Sequence, residues 1–372
     1  MSATQWRKLG YLDREKSEVN PTLSPAWRLE DSRRDKLRSL ALVFPLDWRI
    51  ERLINLPPKG VDQLGPYYVE WLSSGIHGED WDRSPYDSDG VILLLRGGVY
   101  HPVRIAQYGL QQHACWLRTR SPENLRRFLA NARWLRDNQQ RHHGIEGCYE
   151  YDSPEPYHGA LAGWISALAQ GQAISLLLRA AQERPDDGFG EAAARAAQPF
   201  RHDIKDGGVV WRSVDGDVFF EEYAVASPPH ILNGALYALW GLLEFAKKSG
   251  EGWAGDVTKS AVATLVRRLP AYDAGYWSYY SAMATPRGFR RVSTLKYHAF
   301  HIAQLRVTAA LTNERTFLEF AARWRAYQKS WLCRCRVWLN MACWLALKYS
   351  KLDTFAGTLA RSVFAQTSPR SI

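Results

Sequence analysis

From residue 102 onward, apolar residues recur at helical spacing and predict a series of helices. One stripe runs through Leu125, Phe128 and Leu135, behind a Ser121-Pro122 pair whose serine is the expected cap. Further helices are predicted at residues 161–183, 189–200, 230–248, 256–268, 298–311 and 314–328. Because helical hairpins that recur along a chain bury their faces against their neighbours, we expect a mainly α protein built as an incomplete (α/α) toroid.

A weak internal repeat accompanies these helices. The tripeptide Ile-Ala-Gln occurs at residues 105–107 and again at 302–304, and Ala-Gln occurs at 169–170. Each copy lies in a predicted helix, so the repeat indicates structurally similar helical units.

Short apolar runs between turn residues predict β-hairpin insertions. Residues 206–223 place apolar runs on both sides of the Asp215-Gly216 turn. Residues 87–90, Asp-Ser-Asp-Gly, precede an apolar run and predict a second turn. The same four residues are a fragment of a calcium loop, but its later ligands are missing, so a turn is preferred.

The regions outside the helical series differ in composition. Residues 1–60 are polar and rich in Arg, with a helical patch around Asp35 to Val43. We therefore expect an N-terminal arm and small β-containing region at 1–100, a helical catalytic domain at 101–328, and a basic, Trp-rich C-terminal helix or tail at 329–372. This tail either lies on an anionic membrane surface or docks on the domain.

The composition indicates which class of partner the protein binds. Hydrophobic residues make up 46% and charged residues 23% of the 372 residues, as in globular proteins. The net charge of +10 favours a polyanion, and 16 Trp and 18 Tyr favour a carbohydrate. No nucleic-acid module is visible, so an acidic polysaccharide is expected and nucleic acid is not. Five scattered cysteines and a polar N-terminus predict a cytoplasmic protein, with the tail as an alternative contact to the inner face of the membrane.

Candidate chemistry is concentrated around Glu222 and Tyr223, which follow a β-rich run. Asn233 and Tyr237 lie one turn apart on the next predicted helix, and Tyr280 and Tyr297 come from aromatic-rich sequence downstream. A buried Glu is a better base than an exposed one, and a Tyr hydroxyl stays protonated near neutral pH. These groups suit proton transfer at a carbon acid.

Four ordered runs resemble one enzyme family. They are residues 102–110 (PVRIAQYGL), residues 163–175 (GWISALAQGQAIS), residues 221–234 from Glu-Glu-Tyr to Leu-Asn-Gly, and residues 297–305 from Tyr-His to Gln-Leu. From about Tyr67 to Tyr327 the chain resembles the C-terminal catalytic region of the D-glucuronyl C5-epimerases, which convert glucuronate to iduronate in heparan-type chains.

The resemblance implies a set of functional residues. The catalytic positions correspond to Glu222, Tyr223, Tyr280 and Tyr297, and those of the sugar contacts to Gln107, Asn233 and Tyr237. Arg104 stands where the family has a glutamine, and we expect it to contact substrate. The segment between Tyr280 and Tyr297 differs in length, so the family's carboxylate-binding arginine is left open among Arg287, Arg290 and Arg291.

His298 and His301 have the spacing of a metal-ligand pair, but no further ligand is apparent, so we expect them to form hydrogen bonds at the substrate side of their helix. We expect neither a metal nor a cofactor. We expect the protein to form a homodimer. The predicted function is a polysaccharide uronyl C5-epimerase. Its rivals are a polysaccharide lyase, which begins with the same proton abstraction, and a non-catalytic protein that binds acidic glycans.

Overall fold

Helical hairpins make up most of the structure. The computed structural model describes residues 54–57, 63–71, 81, 84–94, 98–155, 158–282 and 290–349, all within one unit, Asp47–Ile372. The helical patch predicted at Asp35 to Val43 lies outside these residues. The helices are α1 (Pro102–Thr119), α2 (Pro122–Asp137), α3 (Ala167–Glu183), α4 (Phe189–Ala197), α5 (Leu232–Ser249), α6 (Gly252–Arg268), α7 (Leu295–Thr312), α8 (Arg315–Lys329) and α9 (Trp331–Tyr349).

Helices α1, α3, α5 and α7 form an inner layer in which each helix packs against the next. Each inner helix also packs against the helix that follows it, so α2, α4, α6 and α8 form an outer layer. The inner helices are buried over most of their length, which explains why they carry few charged residues. This arrangement confirms the mainly α, incomplete (α/α) toroid, and the repeated glutamines Gln107, Gln170 and Gln304 all lie buried on inner helices.

Two glycines allow α3 and α5 to approach closely. A Cβ added at Gly171 would lie 2.5 Å from the Cα of Ala238, and one at Gly241 would lie 2.0 Å from the carbonyl oxygen of Gly171. No larger side chain fits at this crossing. The close contact also brings the N-terminal ends of both helices toward one cleft.

The segment at residues 63–71 packs against the inner helices. Leu64 exchanges two backbone-to-side-chain hydrogen bonds with Gln182 near the end of α3. At the other end of the segment, the Trp71 backbone nitrogen donates to Gln111 Oε1 at 2.9 Å. Tyr67 between them packs against Trp240. The sequence predicted short β structure here. Within the described part of this region the β structure consists of isolated bridges, such as Ile54 with Val69, because the segment packs against helices rather than against strands.

Two short hairpins are inserted between the helices. β1 (Gln140–His142) pairs with β2 (Ile145–Cys148), and β3 (Val210–Arg212) pairs with β4 (Val218–Phe220), both antiparallel. The hairpin predicted at 206–223 is therefore confirmed.

Asp87 forms the predicted turn at residues 87–90. Its Oδ1 accepts hydrogen bonds from the backbone nitrogens of Asp89 (3.0 Å) and Val91 (2.8 Å). Ser121 occupies the expected cap position of α2, but its hydroxyl makes no capping bond, and its carbonyl accepts from Asn124 instead.

Helix α9 follows α8 and packs against it. Val337 and Met341 are buried, whereas Trp331, Leu332 and Leu339 are exposed. Within the described residues, no helix combines the length and apolar character needed to cross a membrane.

Candidate active site

A cleft of about 260 Å³ opens at the N-terminal ends of all four inner helices. Its walls contain residues from α1, α3, α5 and α7 and from the loop after β4. The lining residues are Trp71, Leu94, His101, Val103, Arg104, Gln107, Tyr151, Trp164, Ser166, Leu168, Glu222, Tyr223, Asn233, Tyr237, Tyr297 and Phe300.

Side-chain caps define where three of these helices begin. His101 Nδ1 accepts a hydrogen bond from the Arg104 nitrogen, Ser166 Oγ from the Ala169 nitrogen, and Thr294 Oγ1 from the Tyr297 nitrogen. Since the N-terminus of a helix carries partial positive charge, four such ends at one cleft favour an anionic ligand.

Glu222 is held at the cleft by its neighbours in the chain. The adjacent Glu221 donates its backbone nitrogen to Val209 O and accepts the Ala167 nitrogen at its carbonyl, both at 2.9 Å. These bonds tie the end of β4 to the start of α3. The Glu222 carboxyl then lies against Gly234 in the first turn of α5, where an added Cβ would be 2.4 Å from Oε2.

The Glu222 carboxyl is poised for proton transfer. The residue is only 8% exposed, and Oε2 has no hydrogen-bond partner among the described residues. Burial, together with the charges of Glu221 and Glu155, raises its pKa to about 8, and hydrogen bonding with Tyr223 opposes this shift. A carboxyl with such a pKa exchanges protons readily near neutral pH.

Glu221 and His230 form a buried pair behind Glu222. His230 Nδ1 lies within hydrogen-bond distance of Glu221 Oε1, and its backbone nitrogen donates to Oε2 at 3.2 Å. His230 has a φ of 50°, which is uncommon for a residue other than glycine, and Tyr272 donates its hydroxyl to the His230 carbonyl at 2.7 Å. This pair closes the loop that carries Glu222 and Tyr223.

Three predicted tyrosines gather around Glu222. Tyr297 is 37% exposed and, like Tyr223, lines the cleft, while Tyr280 packs against Tyr297 with ring centroids 4.9 Å apart. Burial raises the pKa of all three phenols, and the negative charge of Glu222 is the second largest contribution to this rise. The phenols therefore stay protonated at neutral pH and can act as acids.

The other predicted sugar contacts also line the cleft. They are Arg104, Gln107, Asn233 and Tyr237. Asn233 is buried, and its Oδ1 has no partner among the described residues. Arg104 donates to Ser84 Oγ.

The two described candidate arginines have different surroundings. Arg290 lies 3.9 Å above the Tyr279 ring and donates to the Ala271 carbonyl at 2.6 Å, away from the cleft-lining residues. Arg291 is also absent from the cleft lining, but it lies 5.8 Å from the ring centroid of Tyr280, and its charge opposes the rise that burial causes in the pKa of Tyr280 and Tyr297. Arg287 lies outside the described residues.

His298 and His301 do not line the cleft. Both are fully buried, and both Nδ1 atoms are within hydrogen-bond distance of Ser278 Oγ, at 2.8 and 2.9 Å. His298 Nε2 is 3.0 Å from the Trp324 carbonyl. Their hydrogen bonds connect α7 to α8 and to the loop that contains Ser278. A buried position of this kind does not support substrate contact. The i, i+3 spacing placed both rings on one face, but this face points into the protein.

An aromatic wall went unrecognised in the sequence. Tyr151 and Trp164 stack with ring centroids 4.0 Å apart and planes 8° apart, and Tyr223 follows at 5.0 Å from Trp164. Trp71, at the end of the segment 63–71, also lines the cleft. A usable signal exists for Trp164, which lies two residues before the cap of an inner helix.

No group of three or more His, Cys, Asp or Glu side chains in the described ranges is arranged to hold a metal ion.

Comparison with known proteins connects this cleft to one family. A 30% identical stretch of 213 residues links the chain to the D-glucuronyl C5-epimerase of Caenorhabditis elegans and covers 54% of this chain and 34% of the worm protein. An uncharacterized protein of Methanocaldococcus jannaschii is 28% identical over 180 residues, which are 48% of this chain and 56% of that protein. The chain thus spans about a third to about half of the length of these relatives.

A solved structure also aligns with the chain. The unsaturated glucuronyl hydrolase of Bacillus sp. GL1, described as responsible for glycosaminoglycan degradation, is 15% identical with a TM-score of 0.41. The alignment covers 60% of this chain and 61% of the hydrolase. A likeness of this extent identifies neither reaction nor substrate.

The family described as D-glucuronyl C5-epimerase C-terminus matches residues 139–326, or 188 of the 372 residues. This range includes both hairpins, the glutamate and all three tyrosines around it. The chain belongs to the D-glucuronyl C5-epimerase C-terminus family.

Proposed function

We propose that the protein is a polysaccharide uronyl C5-epimerase that converts D-glucuronate residues to L-iduronate residues. The observation that carries the proposal is the convergence of Glu222 and Tyr297 on one cleft. A buried carboxyl with a pKa of about 8 and a protonated phenol are the two groups that such a reaction needs.

In the proposed reaction, ionised Glu222 removes the proton from C5 of the sugar. The electron pair moves into the adjacent carboxylate and gives an enolate-like intermediate, which the N-terminal ends of the inner helices stabilise. Tyr297 then delivers its hydroxyl proton to the opposite face of C5. The reverse reaction starts with the Tyr297 phenolate and the protonated Glu222.

The phenols of Tyr223 and Tyr280 assist this exchange. Tyr223 interacts with the Glu222 carboxyl, and Tyr280 packs against Tyr297. Each phenol thus accompanies one of the two proposed proton-transfer groups, where it hydrogen-bonds to the group or relays its proton to solvent.

This assignment predicts one pH profile for both directions. The productive state holds a single proton on the Glu222–Tyr297 pair, whichever group carries it. We expect kcat/KM to rise with pH and to level off above an apparent pKa near 8, because the doubly protonated pair has no base. Different limbs for the forward and the reverse reaction would contradict the assignment.

The proposed substrate is an acidic polysaccharide that contains glucuronate, such as heparosan. The aromatic wall of Tyr151 and Trp164 provides apolar faces for sugar rings, while the helix ends favour the carboxylate.

The decisive experiment incubates the purified protein with heparosan in deuterated buffer and follows C5 by NMR. We expect deuterium at C5 together with iduronate, and we expect neither with Glu222→Gln. The variant Tyr297→Phe should remove iduronate formation without preventing folding. Active enzyme that leaves the C5 hydrogen unexchanged would refute the mechanism.

The same reaction mixture tests the rival functions. A lyase would expel the C4 oxygen and generate an unsaturated product that absorbs ultraviolet light. A non-catalytic glycan-binding protein would bind heparosan without exchange, and Tyr297→Phe would leave its affinity unchanged.

A further inference from the structure

Helix α9 lies beyond residues 139–326 and holds the segment that carries Arg291. Asn340 Oδ1 accepts from the Val292 nitrogen at 3.1 Å, and its Nδ2 donates to the Arg290 carbonyl at 3.3 Å. One side-chain amide thus bonds the residues on both sides of Arg291, which restricts the backbone at that position.

The same helix also contacts the Arg291 side chain. The guanidinium carbon lies 4.6 Å from the ring centroid of Trp344 and 5.8 Å from that of Tyr280. Asn340 and Trp344 are four residues apart and therefore lie on one face of α9, with Val337 and Met341 buried beside them. The guanidinium therefore makes cation–π contacts with both rings.

Arg291 does not itself line the cleft, but it lies beside residues that do. Its guanidinium is 5.8 Å from the ring centroid of Tyr280, which packs against the cleft-lining Tyr297. Burial raises the pKa of Tyr280 and Tyr297, and the charge of Arg291 opposes this rise. Arg290 is engaged elsewhere, through Tyr279 and the Ala271 carbonyl. Among the described candidates, Arg291 is therefore the cation beside the tyrosines.

We propose that Asn340 and Trp344 are positioning residues that hold Arg291 where it binds the carboxylate of the uronate. The inference rests on the proposed function, since it assumes that a uronate enters the cleft. A guanidinium binds a carboxylate through two parallel hydrogen bonds only in a defined orientation, and a stacked ring with a bonded backbone sets that orientation before substrate arrives.

The experiment measures binding, so it does not depend on turnover. Dissociation constants are determined for heparosan and for heparosan whose carboxyl groups have been reduced to alcohols. The dissociation constant of the reduced polymer divided by that of heparosan isolates recognition of the carboxylate. We expect Arg291→Ala to lower this ratio about tenfold or more, Trp344→Ala and Asn340→Ala to lower it several-fold, and Trp344→Phe to retain most of it.

Controls separate positioning from folding. Leu339→Ala changes the exposed face of the same helix and should leave the ratio unchanged. Thermal unfolding identifies any variant that has lost its fold, and Asn340→Ala still tests the clamp if Trp344→Ala does not fold. In the double variant Arg291→Ala/Trp344→Ala, the ratio should equal that of Arg291→Ala alone.

The inference is overturned if Trp344→Ala and Asn340→Ala keep the ratio of the unaltered protein, or if Trp344→Ala lowers it further in the absence of Arg291. Failure of the proposed function has a different signature. With the unaltered protein, heparosan would then take up no deuterium at C5, whatever the binding ratios are.

Discussion

Two buried glutamates at opposite ends of the toroid have opposite surroundings. Glu244, near the C-terminal end of α5, receives two hydrogen bonds from Arg179, at 2.8 and 3.0 Å. Glu222, beside the N-terminal end of the same helix, has an oxygen with no partner among the described residues, and its pKa rises to about 8. Burial alone therefore does not distinguish the proposed catalytic carboxylate from a structural one. What distinguishes Glu222, within the part of the chain that the structure describes, is burial in a cleft without a paired cation.

Glu221 lies between these extremes. It is completely buried, but His230 contacts both of its oxygens. Burial nevertheless raises the pKa of Glu221, because its effect is larger than the opposing effect of the contacts with His230. Its proximity also helps to raise the pKa of Glu222. The carboxylate of Glu221, which is paired with His230, thus helps to set the pKa of the neighbouring Glu222.

The largest expected effect is that of Glu222→Gln on stability at high pH. The unfolded chain loses this proton near pH 4.5 and the folded protein near pH 8, so the native carboxyl lowers stability increasingly as pH rises between these values. Glu222→Gln should increase the free energy of unfolding by as much as about 5 kcal/mol at pH 9, about 2 kcal/mol at pH 6 and almost nothing near pH 4. Urea unfolding at the three pH values measures this trend.

Glu244→Gln should have the opposite sign. It leaves the Arg179 charge buried without its partner and should lower the free energy of unfolding by about 3–5 kcal/mol. The double variant Arg179→Met/Glu244→Leu removes both charges and should recover most of the loss. If Glu222→Gln and Glu244→Gln changed urea unfolding in the same direction, the contrast between the two ends would be refuted.

Gly234→Ala tests the geometry of the unpaired carboxyl. The new Cβ would lie 2.4 Å from Glu222 Oε2 and 2.7 Å from Glu222 Cβ, so the side chain must move. A displacement of this size should lower kcat about 100-fold, measured as deuterium exchange at C5. Gly255→Ala on α6 is the control, because its Cβ meets open space and should leave kcat unchanged.

Trp164→Leu should have the smallest effect. It removes one ring of the aromatic wall but no proton-transfer group, so KM for heparosan should rise about tenfold with little change in kcat. Trp253→Leu, an aromatic substitution on outer helix α6, should leave KM unchanged. A large fall in kcat for Trp164→Leu would show that the wall takes part in the chemistry.

Much of the fold follows from local pattern. The predicted helix at 230–248 is observed as Leu232–Ser249, and the predicted hairpin at 206–223 is β3 with β4. Apolar spacing, Pro and Gly act over a few residues, so such elements can be read from the sequence. The role of residues 63–71 could not be read this way, because the apolar partners of that segment come from distant helices.

The candidate site divides along the same line. The sequence determined which residue types are present at Glu222, Tyr223, Asn233 and Tyr297, and a resemblance to known enzymes singled out those positions. The sequence alone could not distinguish these positions from His298 and His301, whose spacing also suggested a place at the substrate cleft. Only the tertiary structure shows the difference in surroundings, since burial and the lack of a paired cation among the described residues are produced by chain segments far apart in sequence. It is this long-range packing that leaves Glu244 a structural ion pair and Glu222 an unpaired carboxyl in a cleft.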